Sequence, residues 1–270
     1  MAEGERVALV TGGGSGIGRA IALALAAVGR AVAVADVRIE GAEQTAEAVA
    51  AQGGRALAVE VDVTDTGSVA AGLAGAADAL GPVDIVVNSA GWDELRPFLE
   101  TDEAFWGRIV AINFLGAVRV THAALPPMVE RGFGRVVNIG SDAGRVGSSG
   151  EAVYSGAKGG VIAFTKTVAR EVARSGVTAN TVCPGPTRTP MLEAMAAEDA
   201  AGSKLVDTLT RADAPPRRAR GRRRRGRLLR LRRRRLRDRP DAVGERRPHD
   251  GLSGARPRLE GAHPPPWCSG

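Results

Sequence analysis

Three side chains between positions 141 and 158 could together move a proton at a substrate oxygen. Tyr154, the chain's one tyrosine, and Lys158 stand four residues apart, so on a helix they would share a face. A phenol is a poor proton donor or acceptor at neutral pH, because its ordinary pKa is near ~10. A cation beside it would lower the pKa of Tyr154, and Ser141 could hydrogen-bond the same substrate oxygen. The alternative is a solvated helix face that carries a Tyr and a Lys by chance.

The elements that must position these side chains begin with a glycine-rich turn near the N-terminus. The apolar run Val7–Thr11 is predicted as a buried parallel strand, and Ala20–Val28 as a helix. Glycines between them would let the backbone approach a pyrophosphate, and the helix N-terminus would offer free N–H groups. A flexible surface turn is the alternative. The turn residues that we expect to contact a dinucleotide are Gly12, Ser15, Gly16, Ile17 and Gly18.

An acidic residue follows at the spacing of a ribose ligand. Asp36 lies in the second predicted strand, Ala31–Val37, eighteen residues after Gly18. A carboxylate at this position would bind the ribose hydroxyls of NAD and repel the 2′-phosphate of NADP. The nearby Arg38 weakens this preference for NAD. The alternative is that Asp36 only caps the end of the strand. We therefore expect NAD as the cofactor.

Apolar runs and helical stretches alternate up to residue 182, which predicts an α/β fold with a doubly wound parallel sheet. The predicted strand Val136–Gly140 ends directly before Ser141, at the edge where such sheets bind ligands. Asn113 lies inside the predicted helix Phe105–Val129, where it bonds locally or interrupts the helix to hold a water. The other predicted strands are Ala56–Val63, Val83–Val87 and Val177–Val182, and the other predicted helices are Ala42–Gln52, Ser68–Leu80 and Val153–Arg174.

The cysteine, histidine and hydropathy content argues against several protein classes. Two cysteines and three scattered histidines give neither a disulfide framework nor metal-ligand spacing, so we expect no metal. We find no charged-then-apolar leader, and we expect no apolar run long enough to span a bilayer. The sequence therefore predicts a soluble cytoplasmic protein with no membrane partner.

Jointly, these residues resemble the short-chain dehydrogenase/reductase family over roughly residues 5–212. The resemblance implies a Rossmann-type subunit, usually in a homotetramer, that moves a hydride between a nicotinamide and a carbonyl or alcohol. It implies that Tyr154 is the acid and base and that Ser141 positions the substrate oxygen. Lys158 would bind the nicotinamide ribose and tune Tyr154, and Asn113 would hold a relay water. The further cofactor contacts that it implies are Asp62, Val63, Asn88, Ala90, Gly91, Tyr154, Lys158, Pro184, Gly185, Thr187 and Thr189.

A narrower likeness points to family members that use NAD to oxidise the ring alcohol of 2-hydroxycyclohexane-1-carboxyl-CoA. It rests on Gly91–Asp93 with Pro97–Phe98, on residues 141–154 and on residues 182–187. By this likeness the substrate pocket is shaped by Trp92, Ser141, Ser148 and Glu151; the alternative is that the loops carrying Trp92, Ser148 and Glu151 only pack. An NADPH-dependent reductase of 3-oxoacyl-CoA or 3-oxoacyl-ACP is the other activity of this class, and Asp36 disfavours it.

The end of the chain differs sharply in charge from the rest. Residues 1–212 hold 18 Lys/Arg and 24 Asp/Glu, whereas residues 213–270 hold 19 Arg and 6 Asp/Glu. An arm that binds nucleic acid would use such an arginine run. However, Arg217–Arg239 contains no interleaved aromatic residue, so a nucleic-acid partner is disfavoured. A disordered basic tail is a second interpretation.

We favour a third interpretation, in which residues 213–270 are translated out of frame. The family's usual ending, a helix and a strand similar to Gly-Gln-x-Leu-Ser-Val-Ser-Gly-Gly, is not visible after Ala212. If the arginine codons are of the CGN type, reading one nucleotide later permits Tyr-Val-Thr-Gly-Gln-Thr-Leu-Ser-Val-Ser-Gly-Gly-Leu across Leu236–Pro248. We therefore expect a dehydrogenase domain over 1–212 whose sheet lacks its usual last strand, followed by an out-of-frame, disordered tail.

Sequencing the gene across codons 205–255 tests the frameshift. We expect the gene to differ from related genes by a shift of one nucleotide in the reading frame. Such a shift explains why the family's usual ending is recovered at the matching positions when the arginine-rich segment is read one nucleotide later. An unbroken frame in that interval would contradict the interpretation.

Overall fold

The computed structural model describes residues 6–187, which all belong to one compact unit. Within these residues six parallel strands form a sheet in the order β3-β2-β1-β4-β5-β6. The predicted α/β fold with a doubly wound parallel sheet is confirmed. The strands are β1 Val7–Thr11, β2 Ala31–Asp36, β3 Ala56–Glu60, β4 Val83–Asn88, β5 Gly134–Ile139 and β6 Val177–Val182.

Seven α-helices of the described chain cover the two faces of the sheet. Buried residues of α1 and α2 pack on one face against Val10, Val32 and Val34. Buried residues of α3, α5 and α7 pack on the other face, around Leu9 and Val86. The helices are α1 Gly16–Ala27, α2 Ile39–Ala50, α3 Thr66–Leu80, α4 Glu103–Val110, α5 Gly116–Glu130, α6 Ala143–Val146 and α7 Ala152–Glu171.

Strands β1 and β2 are buried along their whole length, which is why their sequences are continuous apolar runs. From β1 the chain winds outward through β2 and β3, and from β4 it winds in the opposite direction through β5 and β6. A crevice therefore opens between the carboxyl ends of β1 and β4, where doubly wound sheets bind ligands.

The long helix predicted around Asn113 is interrupted. Residues Ala111–Leu115 form a π-helical turn between α4 and α5, and Asn113 lies at its centre. The carboxamide of Asn113 donates to the carbonyl oxygen of Ile109 at 3.0 Å and also bonds the backbone of Trp92. Asn113 therefore bonds locally and lies where the helix is interrupted, while the water that it was expected to hold remains a prediction. The short helix α6 was not predicted.

The start of α2 was predicted three residues too late. Gly41 is a poor helix former, so the sequence favoured a start at Ala42. In the structure Gly41 belongs to the first turn of α2, which begins at Ile39. A Cβ at Gly41 would lie 3.3 Å from Cα of Gly14, so the glycine lets α2 approach the glycine-rich turn.

One apolar helical stretch corrects the hydropathy analysis. The helical stretch Glu103–Glu130, which includes the π-helical turn, is long and apolar enough to cross a membrane by length and composition alone, contrary to our expectation. Of its most apolar window, 33% is buried inside the protein. Ile109, Val120 and Met128 on this stretch are core residues.

The seventh strand, Thr189 and residues 213–270 lie outside the described residues, so the expectations about them remain predictions. Within residues 6–187, β6 forms one edge of the sheet.

Two left-handed glycines allow a matched test of backbone packing. Gly176 has φ +74° and a Cβ there would lie 2.1 Å from the carbonyl oxygen of Gly132, whereas Gly29 has φ +77° and open space around it. We expect Gly29→Ala to cost about 1–2 kcal/mol of unfolding free energy, from the backbone alone. Gly176→Ala should cost about 1–3 kcal/mol more, because of the clash. Urea unfolding measures both, and equal midpoint shifts would contradict the clash.

Candidate active site

The crevice between β1 and β4 brings the glycine-rich turn against the loop after β4. Gly12 has φ +64°, and a Cβ there would lie 2.8 Å from Cα of Ala90. A Cβ at Gly18 would lie 2.1 Å from the carbonyl oxygen of Gly12. Thr11 Oγ1 accepts from the backbone N–H groups of Ser89 and Ala90 at 3.1 Å, which fixes the two loops together. Glycines 12 and 18 are therefore required by close packing.

The first turn of α1 is free to receive an anion. Ser15 caps α1 without a side-chain hydrogen bond, and the first turn, Gly16 to Arg19, carries no acidic residue. Its N–H groups and positive helix end therefore face the crevice without a carboxylate competitor. The glycine cradle with this helix end fits a dinucleotide pyrophosphate, and its contacts with Ser15, Gly16 and Ile17 remain predictions.

Asp36 ends β2 beside this cradle. Its Oδ2 accepts from the N–H of Gly14 at 2.9 Å, and its Oδ1 accepts from the N–H of Arg38 at 3.1 Å. The carboxylate is thus held in place by the backbone, and it lies at the strand end where a ribose ligand belongs.

The other predicted cofactor residues lie beyond the carboxyl ends of the strands, as the topology requires. Asp62 follows β3, where its Oδ1 accepts from the N–H and hydroxyl of Thr64, so a tight turn ends the strand earlier than predicted. Val63 is buried against α5 near Gly116. Asn88 ends β4 and donates to Asn138 and Thr121. Ala90 and Gly91 follow Asn88, and Pro184, Gly185 and Thr187 follow β6.

Asn113 holds the loop after β4. Its Nδ2 donates to the carbonyl oxygen of Trp92 at 2.6 Å, and its Oδ1 accepts from the N–H of Trp92 at 3.3 Å. A Cβ at Gly91 would lie 3.0 Å from Oδ1 of Asn113 and 3.7 Å from Nζ of Lys158. The structure therefore brings Asn113 and Lys158 together beside Gly91.

Ser141 is oriented toward Tyr154. It follows β5 directly, and its Oγ accepts from the N–H of Ala143 at 3.1 Å. Its own proton is then available to Tyr154, with which it hydrogen-bonds. A hydroxyl with this orientation can serve a second oxygen atom, that of a substrate, near the phenol.

Lys158 lies one turn after Tyr154 on α7, and the two share a face. Its Nζ is 5.6 Å from the centre of the Tyr154 ring and donates to the carbonyl oxygen of Ile139 at 3.0 Å. Burial lowers the pKa of Lys158 to about 8, while the charge of Asp93 raises it in part. Behind this lysine α7 packs closely on α6, since a Cβ at Gly144 would lie 2.7 Å from the backbone of Gly159.

The expected lowering of the Tyr154 pKa by a neighbouring cation is not observed. Burial raises the pKa of Tyr154 well above its ordinary value, and the charges of Asp93 and Glu151 raise it further. The hydrogen bond from Ser141 offsets this only in part. The physical reason is mainly burial of the phenol itself, to which the charges of Asp93 and Glu151 add, whereas Lys158 is itself penalised by burial.

A small, open cavity lies beside Tyr154. Of the predicted substrate residues, Glu151 lines it, whereas Trp92, Ser141 and Ser148 do not. Trp92 instead packs under the guanidinium of Arg108 at 3.7 Å and against the edge of Phe105. These contacts agree with the alternative that the loop carrying Trp92 only packs against its neighbours. The lining residues are Asp93, Arg96, Phe98, Thr101, Phe105, Gly150, Glu151, Ala152, Val153 and Tyr154.

Asp93 is the residue that the sequence-based site prediction missed. It is 5% exposed, lines the cavity and acts electrostatically on both Tyr154 and Lys158. The sequence signal that could have identified Asp93 was an acidic residue directly after Trp92, in the loop that follows a buried strand. No group of His, Cys, Asp and Glu within residues 6–187 could hold a metal ion.

Comparison with known proteins identifies the chain's family. The short chain dehydrogenase family profile matches residues 6–200. Cis-4-hydroxycyclohexanecarboxylate dehydrogenase of Sinomonas cyclohexanicum is 43% identical over 195 residues, which cover 72% of this chain and 78% of that protein. (2S)-[(R)-hydroxy(phenyl)methyl]succinyl-CoA dehydrogenase subunit BbsD of Thauera aromatica is 37% identical, with the same coverage of 72% and 78%.

Two further similarities are to a reductase and to a solved structure. A 3-oxoacyl-[acyl-carrier-protein] reductase of Synechocystis sp. is 41% identical over 72% of this chain and 78% of its own length. A crystal structure named ribose-5-phosphate isomerase, from Brucella melitensis 16M, superposes with a TM-score of 0.66 at 39% identity, over 70% of this chain and 72% of that one. Proteins of the matched family are typically soluble. The chain belongs to the short-chain dehydrogenase family, and it is an oxidoreductase that binds a nicotinamide cofactor, NAD or NADP, and acts on a small molecule.

Proposed function

We propose that this protein is an NAD-dependent dehydrogenase that oxidises a secondary alcohol on the ring of a hydroxyacyl-CoA similar to 2-hydroxycyclohexane-1-carboxyl-CoA. The observation that carries the proposal is the position of Tyr154 at the wall of a partly aromatic cavity, with Ser141 as its hydrogen-bond partner and with Lys158 and Asn113 nearby.

Oxidation of the alcohol removes a proton from its hydroxyl group and a hydride from its carbinol carbon. The substrate hydroxyl lies between Ser141 Oγ and the phenol oxygen of Tyr154, which orients its proton toward Tyr154. Tyr154 takes that proton as general base while the carbinol carbon gives up its hydride, so the alcohol becomes a ketone. Bound nicotinamide supplies the hydride acceptor. In the reverse direction Tyr154 returns the proton to the ketone oxygen.

Lys158 and Asn113 hold the surroundings of this step. We expect Lys158 to bind the nicotinamide ribose, and the position of its Nζ near Gly91 supports this. Asn113 keeps Gly91 and Trp92 fixed, and its place in a π-helical turn fits a relay water for the released proton. The cofactor is held by the glycine cradle, the first turn of α1 and the residues after β3, β4 and β6.

Asp36 favours NAD over NADP. Its carboxylate is fixed by two backbone N–H groups at the end of β2, where a 2′-phosphate would meet its charge. Arg38 is adjacent in sequence, but its N–H, not its guanidinium, is the group bonded to Asp36.

The substrate class is supported by the cavity and by the names of two relatives. Phe98, Phe105 and Val153 provide apolar walls for a ring beside Tyr154. One similar protein is named for a hydroxycyclohexanecarboxylate and another for a phenyl-substituted hydroxyacyl-CoA. A second candidate is a reductase of 3-oxoacyl thioesters, favoured by the similarity to proteins with that name. Asp36 argues against the NADPH that we associate with this alternative.

We further infer a soluble cytoplasmic homotetramer for a protein with the family's usual ending. The helical stretch 103–130 exposes Trp106, Leu115 and Val129, an apolar surface that subunit contacts would cover. We retain the proposal that residues 213–270 are out of frame. The family match ends at residue 200, before the arginine-rich segment begins. The catalytic arrangement makes a role in nucleic-acid binding a poor alternative.

The pH profile of the two reaction directions tests the role of Tyr154. Because the pKa of Tyr154 is raised, its phenolate is scarce at neutral pH and grows about tenfold per pH unit. We expect kcat/KM for oxidation of 2-hydroxycyclohexane-1-carboxyl-CoA to rise steeply between about pH 7 and pH 9, with no such rise for reduction of the ketone. NADH absorbance measures both. Tyr154→Phe should lose about 100-fold or more in both directions, and a flat oxidation profile would contradict the assignment.

The cofactor preference tests Asp36. Asp36→Asn keeps one hydrogen-bond acceptor and removes the charge that repels a 2′-phosphate. We expect the kcat/KM ratio of NAD to NADP to fall by on the order of tenfold or more. The control is Glu47→Gln, which removes the same charge from an exposed position of α2. A ratio that changes equally in both variants would contradict the proposed role.

A further inference from the structure

Two carboxyl groups meet in the wall of the substrate cavity. Asp93 and Glu151 both line it, together with Tyr154. Within residues 6–187 no donor makes a hydrogen bond of normal geometry to either carboxylate oxygen of Asp93, which is 5% exposed. The side-chain partner of Asp93 is the carboxyl group of Glu151. Two carboxyl groups hydrogen-bond only when one of them is protonated, so the pair holds a shared proton.

The backbone holds this pair together. The N–H of Arg96 donates to the carbonyl oxygen of Gly150 at 2.9 Å, which joins the loop of Asp93 to the loop of Glu151. On the other side of Asp93, Asn113 bonds both backbone polar groups of Trp92. The carboxyl groups are therefore fixed before a substrate arrives.

The charges around the pair leave this wall negative. Arg96 lines the cavity, but its guanidinium bonds Glu94 and stacks over the ring of Phe105 at 4.8 Å. Lys158 lowers the pKa of Asp93 only slightly, and its Nζ is bonded to Ile139. With one shared proton, Asp93 and Glu151 carry about one negative charge beside the phenol of Tyr154.

We propose that Asp93 and Glu151 form a proton-sharing carboxyl pair that selects substrates whose acyl group is uncharged, and that excludes the corresponding free carboxylates. The proposal deepens the proposed function and rests on it. A thioester or ester beside the reacting carbon meets no repulsion there, whereas a carboxylate at the same place meets a like charge in a partly buried site. The carboxyl pair is a specificity determinant that acts on the substrate's acyl group.

Titration of the pair agrees with this geometry. Burial, followed by the hydrogen bond and the charge of Glu151, raises the pKa of Asp93 to about 8. The N–H of Glu94 and the charge of Lys158 offset this in part. The groups that act on Asp93 are thus Glu151, which directly precedes α7, and Tyr154 and Lys158 on α7. The backbone of Glu94, the next residue in the loop of Asp93, also acts on it.

A matched pair of substrates tests the selection. Methyl 2-hydroxycyclohexane-1-carboxylate and the free 2-hydroxycyclohexane-1-carboxylate differ mainly in charge. We expect the full-length protein to prefer the ester in kcat/KM, and Asp93→Asn and Glu151→Gln each to reduce that preference by on the order of tenfold. Glu100→Gln, at an exposed position of the same loop region, is the control and should leave it unchanged. An unchanged preference in both cavity variants would overturn the proposal.

The stability of the protein gives a readout that needs no turnover. Asp93 keeps its proton in the folded protein up to about pH 8, whereas in the unfolded chain it loses it near the ordinary value of 3.8. The stability that this proton contributes is present at low pH and is lost as pH rises toward about 8. We expect the unfolding midpoint of the unsubstituted protein to fall with pH relative to that of Asp93→Asn. Parallel pH profiles would overturn the shared proton.

Direct binding separates failure of this inference from failure of the proposed function. If neither alcohol is oxidised with NAD, the proposed function is wrong, and calorimetry with cyclohexanecarboxylate and its methyl ester then decides the selection. If the unsubstituted protein binds the ester more tightly than the carboxylate, and Asp93→Asn reduces this difference in affinity, the result would support the carboxyl pair. Equal binding of anion and ester by both proteins would contradict it.

Discussion

The two hydrogen bonds between the Asn113 carboxamide and the backbone of Trp92 fix the geometry on which the rest of the site depends. They use one donor and one acceptor of a side chain that sits in a π-helical turn, so the helix itself is distorted to make them. As a result Gly91 lies against Asn113 and Lys158, and Asp93 lies in the cavity wall. Any side chain at Gly91 would push this loop away from Asn113.

Burial decides the protonation of the site more strongly than the pairing of charges does. Asp93, Tyr154 and Lys158 lie close together, and burial shifts the pKa of each toward its uncharged form. Charged forms are costly in such surroundings unless they are paired and hydrogen-bonded. The residues shared with the family would perform the hydride and proton transfer. The carboxyl pair, formed by the two loops that carry Asp93 and Glu151, would select substrates by the charge of their acyl group.

The sequence predicted most of the fold because each central strand is a short apolar run bounded by glycine or polar residues. It also placed Asp36, Ser141, Tyr154 and Lys158 on the elements where the structure has them, because spacing along a helix or strand fixes which face a residue occupies. It did not predict the short helix α6, and around Asn113 it left a local hydrogen bond and an interruption of the helix open, since a π-helical turn depends on a partner distant in sequence, the backbone of Trp92.

The sequence by itself determined the doubly wound parallel sheet, the dinucleotide cradle and the membership of Ser141, Tyr154 and Lys158 in one site. These follow from local patterns and from the rule that parallel strands end at one edge. Only the tertiary structure decided that Asp93 meets Glu151, that Trp92 packs under Arg108, and that the pKa of Tyr154 is raised. Those results depend on burial and on contacts between loops far apart in sequence, and spacing along the chain carries no information about either.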